Sequence, residues 1–257
     1  MIDIHSHILY GLDDGAPDIE TSLAMLKIAA EAGTTDIVAT PHSDGKYEYQ
    51  PALVDARILE LNEITGNNPR IHRGCDFHLS IDNVQACLMD HTPFTINGLR
   101  YLMVEFADFF LPPSTENIFQ QFLERGVTPV ITHPERNPIL QDSTPRLEKW
   151  IESGCILQVT AQSLTGRFGK NANESAWNWL RAGMVHVLAS DAHDTVHRPP
   201  RLDITHELVK GKLGQATADL LLERNPGAIL KGESCEAPGG TASSSGSSGR
   251  RWFQFWG

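Results

Sequence analysis

Short apolar runs alternate with amphipathic stretches along almost the whole chain. The first run covers residues 2–5, and "TDIVAT" (35–40), "RYLMVEF" (100–106), "VTPVITH" (127–133), "CILQVTA" (155–161) and "VHVLASD" (185–191) follow it. Runs of this length, rich in Val, Ile and Leu, predict buried strands. "RIHRGC" (70–75) is a weaker strand, and Pro129 demotes the run at 127–133 because proline cannot donate to a ladder. Helical patterns lie between these runs. In "PDIETSLAMLKIAAEAG" the side chains of Ile19, Leu23, Leu26 and Ala30 share a face, Pro17 or Asp18 starts the helix and Gly33 stops it. Further helices are predicted over 51–65, in "STENIFQQFLERG" and "STPRLEKWIESG", and near 173–182.

About seven strand–helix units result. Strands alternating with helices point to parallel sheet, but periodicity does not separate an open sheet from a closed barrel. The polar residues at the strand ends do. His5 and His7 follow the first strand, His42 the second and Asp76 the third; Glu105 ends the fourth, His133 the fifth, and Asp191 and His193 follow the seventh. Only the sixth, ending in Thr160, lacks such a residue. In a parallel barrel all C-terminal strand ends meet on one rim, so donors scattered through the chain converge there. The predicted fold is therefore α/β, a parallel barrel of about seven strand–helix units.

All these donors offer nitrogen or oxygen and none is a thiolate. That suits Mn²⁺, Fe or Zn²⁺ in a catalytic role and argues against a structural cysteine-rich zinc site. There are more donors than one ion needs, so two or three divalent ions are expected, with Asp76 and Glu105 as bridging carboxylates. The remaining histidines are read as structural or surface residues.

Composition changes this picture little. A chain of 257 residues with 40% apolar and 21% charged content suits a single barrel-sized domain. The net charge of −11 argues against nucleic acid as a partner, although a positive pocket in a negative surface still admits one phosphate. Four cysteines without a CxxC pair or a C-x5-R cradle indicate a reducing, cytoplasmic compartment and exclude the cysteine-dependent phosphatases. No apolar run is long enough to span a bilayer, so stable membrane insertion is not expected. The barrel is assigned to residues 1–232. Residues 233–257, with "TASSSGSSG" and "RRWFQFWG", are read as a flexible tail with no part in the chemistry.

Taken in order, "DIHSHIL-GLDDG", "TPH", "VEF", "HPER" and "SDAH" resemble the PHP (polymerase and histidinol phosphatase) superfamily. More closely, the chain is similar to that superfamily's bacterial manganese-dependent tyrosine phosphatases of capsule and exopolysaccharide clusters, over roughly residues 1–231. The resemblance implies a TIM-like distorted (β/α)7 barrel with a trinuclear metal centre. His5, His7 and Asp191 would hold one ion, and Glu105 and His133 a second, with Asp76 bridging the two. His42 and His193 would hold the third with Asp13 or Asp14, spacing from His7 slightly favouring Asp13. Two departures stand out: Asp76 where the family usually has Glu, and Ser43 where it often has a further histidine. Neither removes a donor.

The expected reaction is direct in-line attack on a phosphomonoester by hydroxide generated at the ions, with no phosphoenzyme. Arg136 in "HPER" and Arg198 in "HRPP" are placed to grip the phosphate, and His193 or a metal-held Asp to protonate the leaving group where it needs a proton. The substrate implied is a phosphotyrosine protein, for instance a bacterial tyrosine kinase of polysaccharide export. The rivals are a small-molecule phosphatase acting on histidinol phosphate or the like, a PHP nuclease, and a non-catalytic barrel. The last would predict lost ligands, and none is lost. "GRFGK" (166–170) is not a P-loop, because Leu164 occupies the position of the first glycine.

Overall fold

The computed structural model describes residues 1–107 and 109–238; "RRWFQFWG" lies outside the described residues. Nine strand segments run parallel: β1 (Ile2–Ser6), β2 (Asp36–Ala39), β3 (His42–Ser43), β4 (Arg70–Arg73), β5 (Asp76–His78), β6 (Tyr101–Glu105), β7 (Thr128–Ile131), β8 (Ile156–Thr160) and β9 (Val187–Ala189). Their order is β1-β2-β4 and β3-β5-β6-β7-β8-β9. β3 continues β2 past Pro41, and β5 continues β4 past Gly74 and Cys75, so the segments make seven strands. The curled sheet closes where Ser6 bridges Ala192, with Asp191 N–H donating to His5 O (2.9 Å) and His7 N–H to Ala192 O (2.8 Å). This is the parallel barrel that the strand-end pattern predicts.

Alternation along each strand sorts its side chains. On β6, Leu102 and Val104 face the outer helices, whereas Tyr101, Met103 and Glu105 face inward. The interior cluster also takes Val38 of β2, Val130 of β7, Ile156 of β8, and Val187 and Ala189 of β9. A register shift in β1 between Asp3 and Ser6 lets Ile4 join that cluster while His5 still reaches the rim. Both faces of the sheet are buried, which explains why the strands read as continuous apolar runs rather than alternating ones.

The helices predicted from sequence are α1 (Ile19–Glu31), α2 (Pro51–Thr65), α4 (Thr115–Glu124), α6 (Thr144–Glu152) and α7 (Lys170–Arg181). Asp18 caps α1 by accepting the Thr21 N–H at 2.8 Å, and Gly66 ends α2 in the left-handed region. Five helices beyond these expectations cover the remaining faces or ends: α3 (Ile81–Met89), the short α5 (Pro138–Gln141), α8 (Asp203–Leu213), α9 (Gln215–Asp219) and, reached from α9 through a π-turn (Leu220–Arg224), α10 (Asn225–Lys231). Ile229 of α10 enters the interior cluster and plugs the end opposite the donors. The chain stays packed beyond residue 232. Tyr101 donates to Glu233 O (2.6 Å), and Glu236 N–H donates to Asn225 Oδ1 (2.8 Å). The tail expected from 233 thus begins with residues held on the barrel. Among the described residues no helix is long and apolar enough to cross a membrane.

One histidine is locked by this packing. His186 is buried before β9 and its Nδ1 accepts the Leu157 N–H at 3.2 Å. Burial pushes its pKa down from 6.5 to about 4. The unfolded chain therefore takes up this proton first, and the stability contribution, complete above pH 6.5, is lost as pH falls toward 4. His186→Gln is expected to flatten the fall in melting temperature between those two pH values, read by calorimetry beside the wild type; equal slopes would disprove the assignment.

Candidate metal centre

The C-terminal strand ends deliver their polar side chains to one pocket. His5 comes from β1 and His7 from just beyond it; Asp13 and Asp14 come from the turn that precedes α1. That turn folds back hard on His7: a Cβ on Gly15 would stand 2.0 Å from His7 O, so only glycine closes it. His42 begins β3, Asp76 begins β5 and Glu105 ends β6. His133 and Asp191 follow β7 and β9 with φ of +32° and +50°. A left-handed backbone at a residue with a Cβ is strained, and here it turns each side chain off its strand and into the pocket.

The donors form one continuous cluster. His5 Nε2 lies 3.4 Å from Asp76 Oδ2 and 3.5 Å from Asp191 Oδ1, and His7 Nε2 lies 3.5 Å from that same Asp191 oxygen. His42 Nδ1 is 3.3 Å from Asp76 Oδ2 and 3.2 Å from Glu105 Oε2, while His133 Nε2 is 3.3 Å from Glu105 Oε1. Asp14 Oδ1 completes the far side, 3.3 Å from His42 Nε2 and 3.5 Å from His193 Nε2. Three overlapping sets have donor atoms within 4.8 Å of one another: His7, Asp14, His42 and His193; His5, His7 and Asp76; His42, Asp76 and Glu105.

The geometry separates the two carboxylates of the "DDG" turn. Asp13 Oδ2 accepts from His7 Nδ1 at 2.6 Å and from the His42 N–H at 3.2 Å, and its other oxygen accepts the Gly15 N–H at 2.9 Å. Both oxygens are engaged outside the donor cluster. Where spacing favours Asp13, the pocket position belongs to Asp14. Asp13 instead orients His7, and Gln158 on β8 does the same for His5, with its Oε1 at 3.0 Å from His5 Nδ1. Gln158 escaped the sequence reading; its only signal is a lone polar side chain inside the apolar run 155–161.

The electrostatics fit cations. Burial alone would raise Asp191, but Arg136, His5 and Arg198 outweigh it and hold its carboxyl well below the usual range. His5 and His42 do the same for buried Asp76. Burial works against a charge on His7, yet Asp13 overcomes it and lifts that pKa to about 9. The carboxylates can be balanced by protons on the imidazoles or by cations between the groups. Among the described residues, buried His5 Nε2, His7 Nε2, His42 Nδ1 and both Asp76 oxygens have no hydrogen-bond partner, although the outer nitrogens of His5 and His7 are bonded. Imidazoles fixed from behind with a lone pair aimed at carboxylates are what divalent cations require, and the residues present fit such ions.

Arg136 and Arg198 both donate to Asp191 Oδ2. Arg198 Nε has no partner among the described residues.

A parallel β/α barrel with nitrogen and oxygen donors gathered at its C-terminal rim defines a class of barrel proteins with a candidate metal site. Comparison with known proteins narrows it. The family model "Capsular polysaccharide synthesis, CpsB/CapC" matches residues 1–231, and the chain belongs to that family. The tyrosine-protein phosphatase YwqE of Bacillus subtilis is 33% identical over 210 residues, covering 77% of this chain and 79% of the relative. The tyrosine-protein phosphatase CpsB of Streptococcus pneumoniae is 30% identical over 239 residues, covering 90% and 98%. A solved structure from the work on YwqE and CpsB as metal-dependent tyrosine phosphatases superposes with a TM-score of 0.86 at 30% identity, over 93% of this chain and 98% of that one.

The different places of the two turn carboxylates predict different losses. Asp14→Asn should lower the divalent metal bound per chain in elemental analysis. Asp13→Asn should keep the full count at saturation with affinity weakened by about 10–100-fold, the usual effect of losing a group behind a ligand. Equal losses of count in both would contradict this division.

Proposed function

We propose that this chain is a metal-dependent phosphatase that removes phosphate from tyrosine in proteins. The observation that carries the reading is the convergence of histidine and carboxylate donors with two arginines on one rim, in a chain whose relatives are tyrosine-protein phosphatases. His5, His7, Asp191 and Asp76 would hold one ion; Asp76, Glu105 and His133 a second; Asp14, His42 and His193 a third. The mixed imidazole and carboxylate donor set, with no thiolate, accommodates Mn²⁺, with Fe or Zn²⁺ as alternatives. When bound, such ions make water a competent nucleophile at neutral pH and offset phosphoryl charge.

The protein's own groups do the rest. Arg136 and Arg198 are forked cations beside the donor cluster, matched to phosphoryl oxygens, and the unpartnered Arg198 Nε is free to donate. Asp191 holds both in place while the pocket is empty of substrate. The phosphoryl group passes in line to water, and the tyrosine C–O–P ester opens at its P–O bond. The phenolate leaves without help from an acid: His193 has Nδ1 on the Asp191 carbonyl at 3.0 Å and Nε2 facing Asp14, which suits a ligand better than a proton source. The nearest thiol, Cys75, is fully buried and burial pushes its pKa well up, so it supplies no nucleophile. The substrate is a tyrosine-phosphorylated cytoplasmic protein of polysaccharide export, a bacterial tyrosine kinase in the first place.

Hydrolysis of a phosphotyrosyl peptide should require Mn²⁺ and stop with chelator. His133→Ala is expected to lose both metal and activity. Arg136→Ala should keep its metal and lose about 10²–10³-fold in kcat/KM, the scale of one withdrawn charge-stabilising donor. Histidinol phosphate and single-stranded DNA are the competing substrates; preference for either over the peptide would defeat the proposal.

A further inference from the structure

The loop after β8 brings no metal donor to the rim, yet it lies between the two loops that carry the arginines. β7, β8 and β9 are neighbours in the sheet, with Arg136 following β7 and Arg198 following β9. Gly166 and Gly169 bracket two residues of the middle loop at φ +84° and +89°, a region that favours glycine. Of those two, Arg167 is exposed and Phe168 turns inward to half-burial. Its ring centroid lies 4.6 Å from Arg136 Cζ and 5.7 Å from Arg198 Cζ.

Two guanidinium groups sharing one carboxylate oxygen repel each other, and each sits on a long side chain with many rotamers. An aromatic face attracts both cations and narrows where they can go. We propose that Phe168 is a positioning residue for phosphate binding. Its ring holds Arg136 and Arg198 at a common spacing, so that both guanidiniums meet the same phosphoryl group. Freedom removed before the ligand arrives is not lost again on binding. The inference rests on the phosphatase reading above and assigns the sixth strand, the one without a donor, its share of the site.

Inorganic phosphate, the reaction product, is the probe. Phe168→Leu keeps apolar bulk without the ring, and Phe168→Tyr keeps the ring. Calorimetric titration of the Mn²⁺-loaded proteins with phosphate is to be run beside peptide kinetics, metal content and melting temperature. Phe168→Leu should weaken phosphate binding and raise KM by about tenfold with a smaller change in kcat, whereas Phe168→Tyr should retain most of the affinity. In an Arg198→Ala background the Leu substitution should cost clearly less, because one of its two cations is gone. The proposal is overturned if Phe168→Leu binds phosphate like the wild type. It is equally overturned if the loss falls on kcat or melting temperature with phosphate binding unmoved. A wild type that binds phosphate but leaves phosphotyrosine intact would sink the phosphatase reading alone, since the titration does not depend on turnover.

Discussion

Everything at the rim depends on keeping buried carboxylates charged. Asp76 and Asp191 are almost wholly removed from water, and an ionised carboxylate in such a place is costly unless opposite charge stands close by. His5 and His42 face Asp76, and Arg136, Arg198 and His5 face Asp191. Several of these imidazoles and guanidiniums have a neighbour behind or beside them: Gln158 behind His5, Asp13 behind His7, Phe168 beside the arginines. The barrel is the means of assembling these layers. No single loop could hold so many like-charged groups together, whereas seven strand ends fixed by ladder hydrogen bonds can.

That architecture divides labour between the two ends of the ring. The interior beneath the donors is filled by Ile4, Val38, Met103, Val130 and Val187, and Ile229 of α10 seals the far end. An apolar floor denies the carboxylates water from below and leaves the rim as the way in. Strain is concentrated where function needs it: His133 and Asp191 are two of only four non-glycine residues with positive φ among the described residues, and both are pocket donors.

Much of this was legible in the sequence because the donors obey a simple rule, one at the end of nearly every apolar run. His5, His7, His42, Asp76, Glu105, His133, Asp191 and His193 all point into one pocket. The groups behind them obey no such rule. Gln158 looks like an ordinary polar break in a strand, and Phe168 like a loop aromatic. Asp13 and Asp14 are adjacent, chemically identical and separable only by the turn that Gly15 closes. The weak run at 70–75 is in truth one strand interrupted at Gly74, where a Cβ would come within 2.7 Å of Val38 Cγ1. Helices α3, α8, α9 and α10 were missed because their patterns are broken by polar or short stretches, and packing against the barrel rather than propensity makes them helical.

The seam between Ser6 and Ala192 has a consequence for biosynthesis. It joins the first strand synthesised to the last, so His5 and His7 wait for Asp191 and His193 until nearly the whole barrel has left the ribosome. A chain ending before β9 carries seven of the nine pocket donors and one of the two arginines; it lacks Asp191, His193 and Arg198.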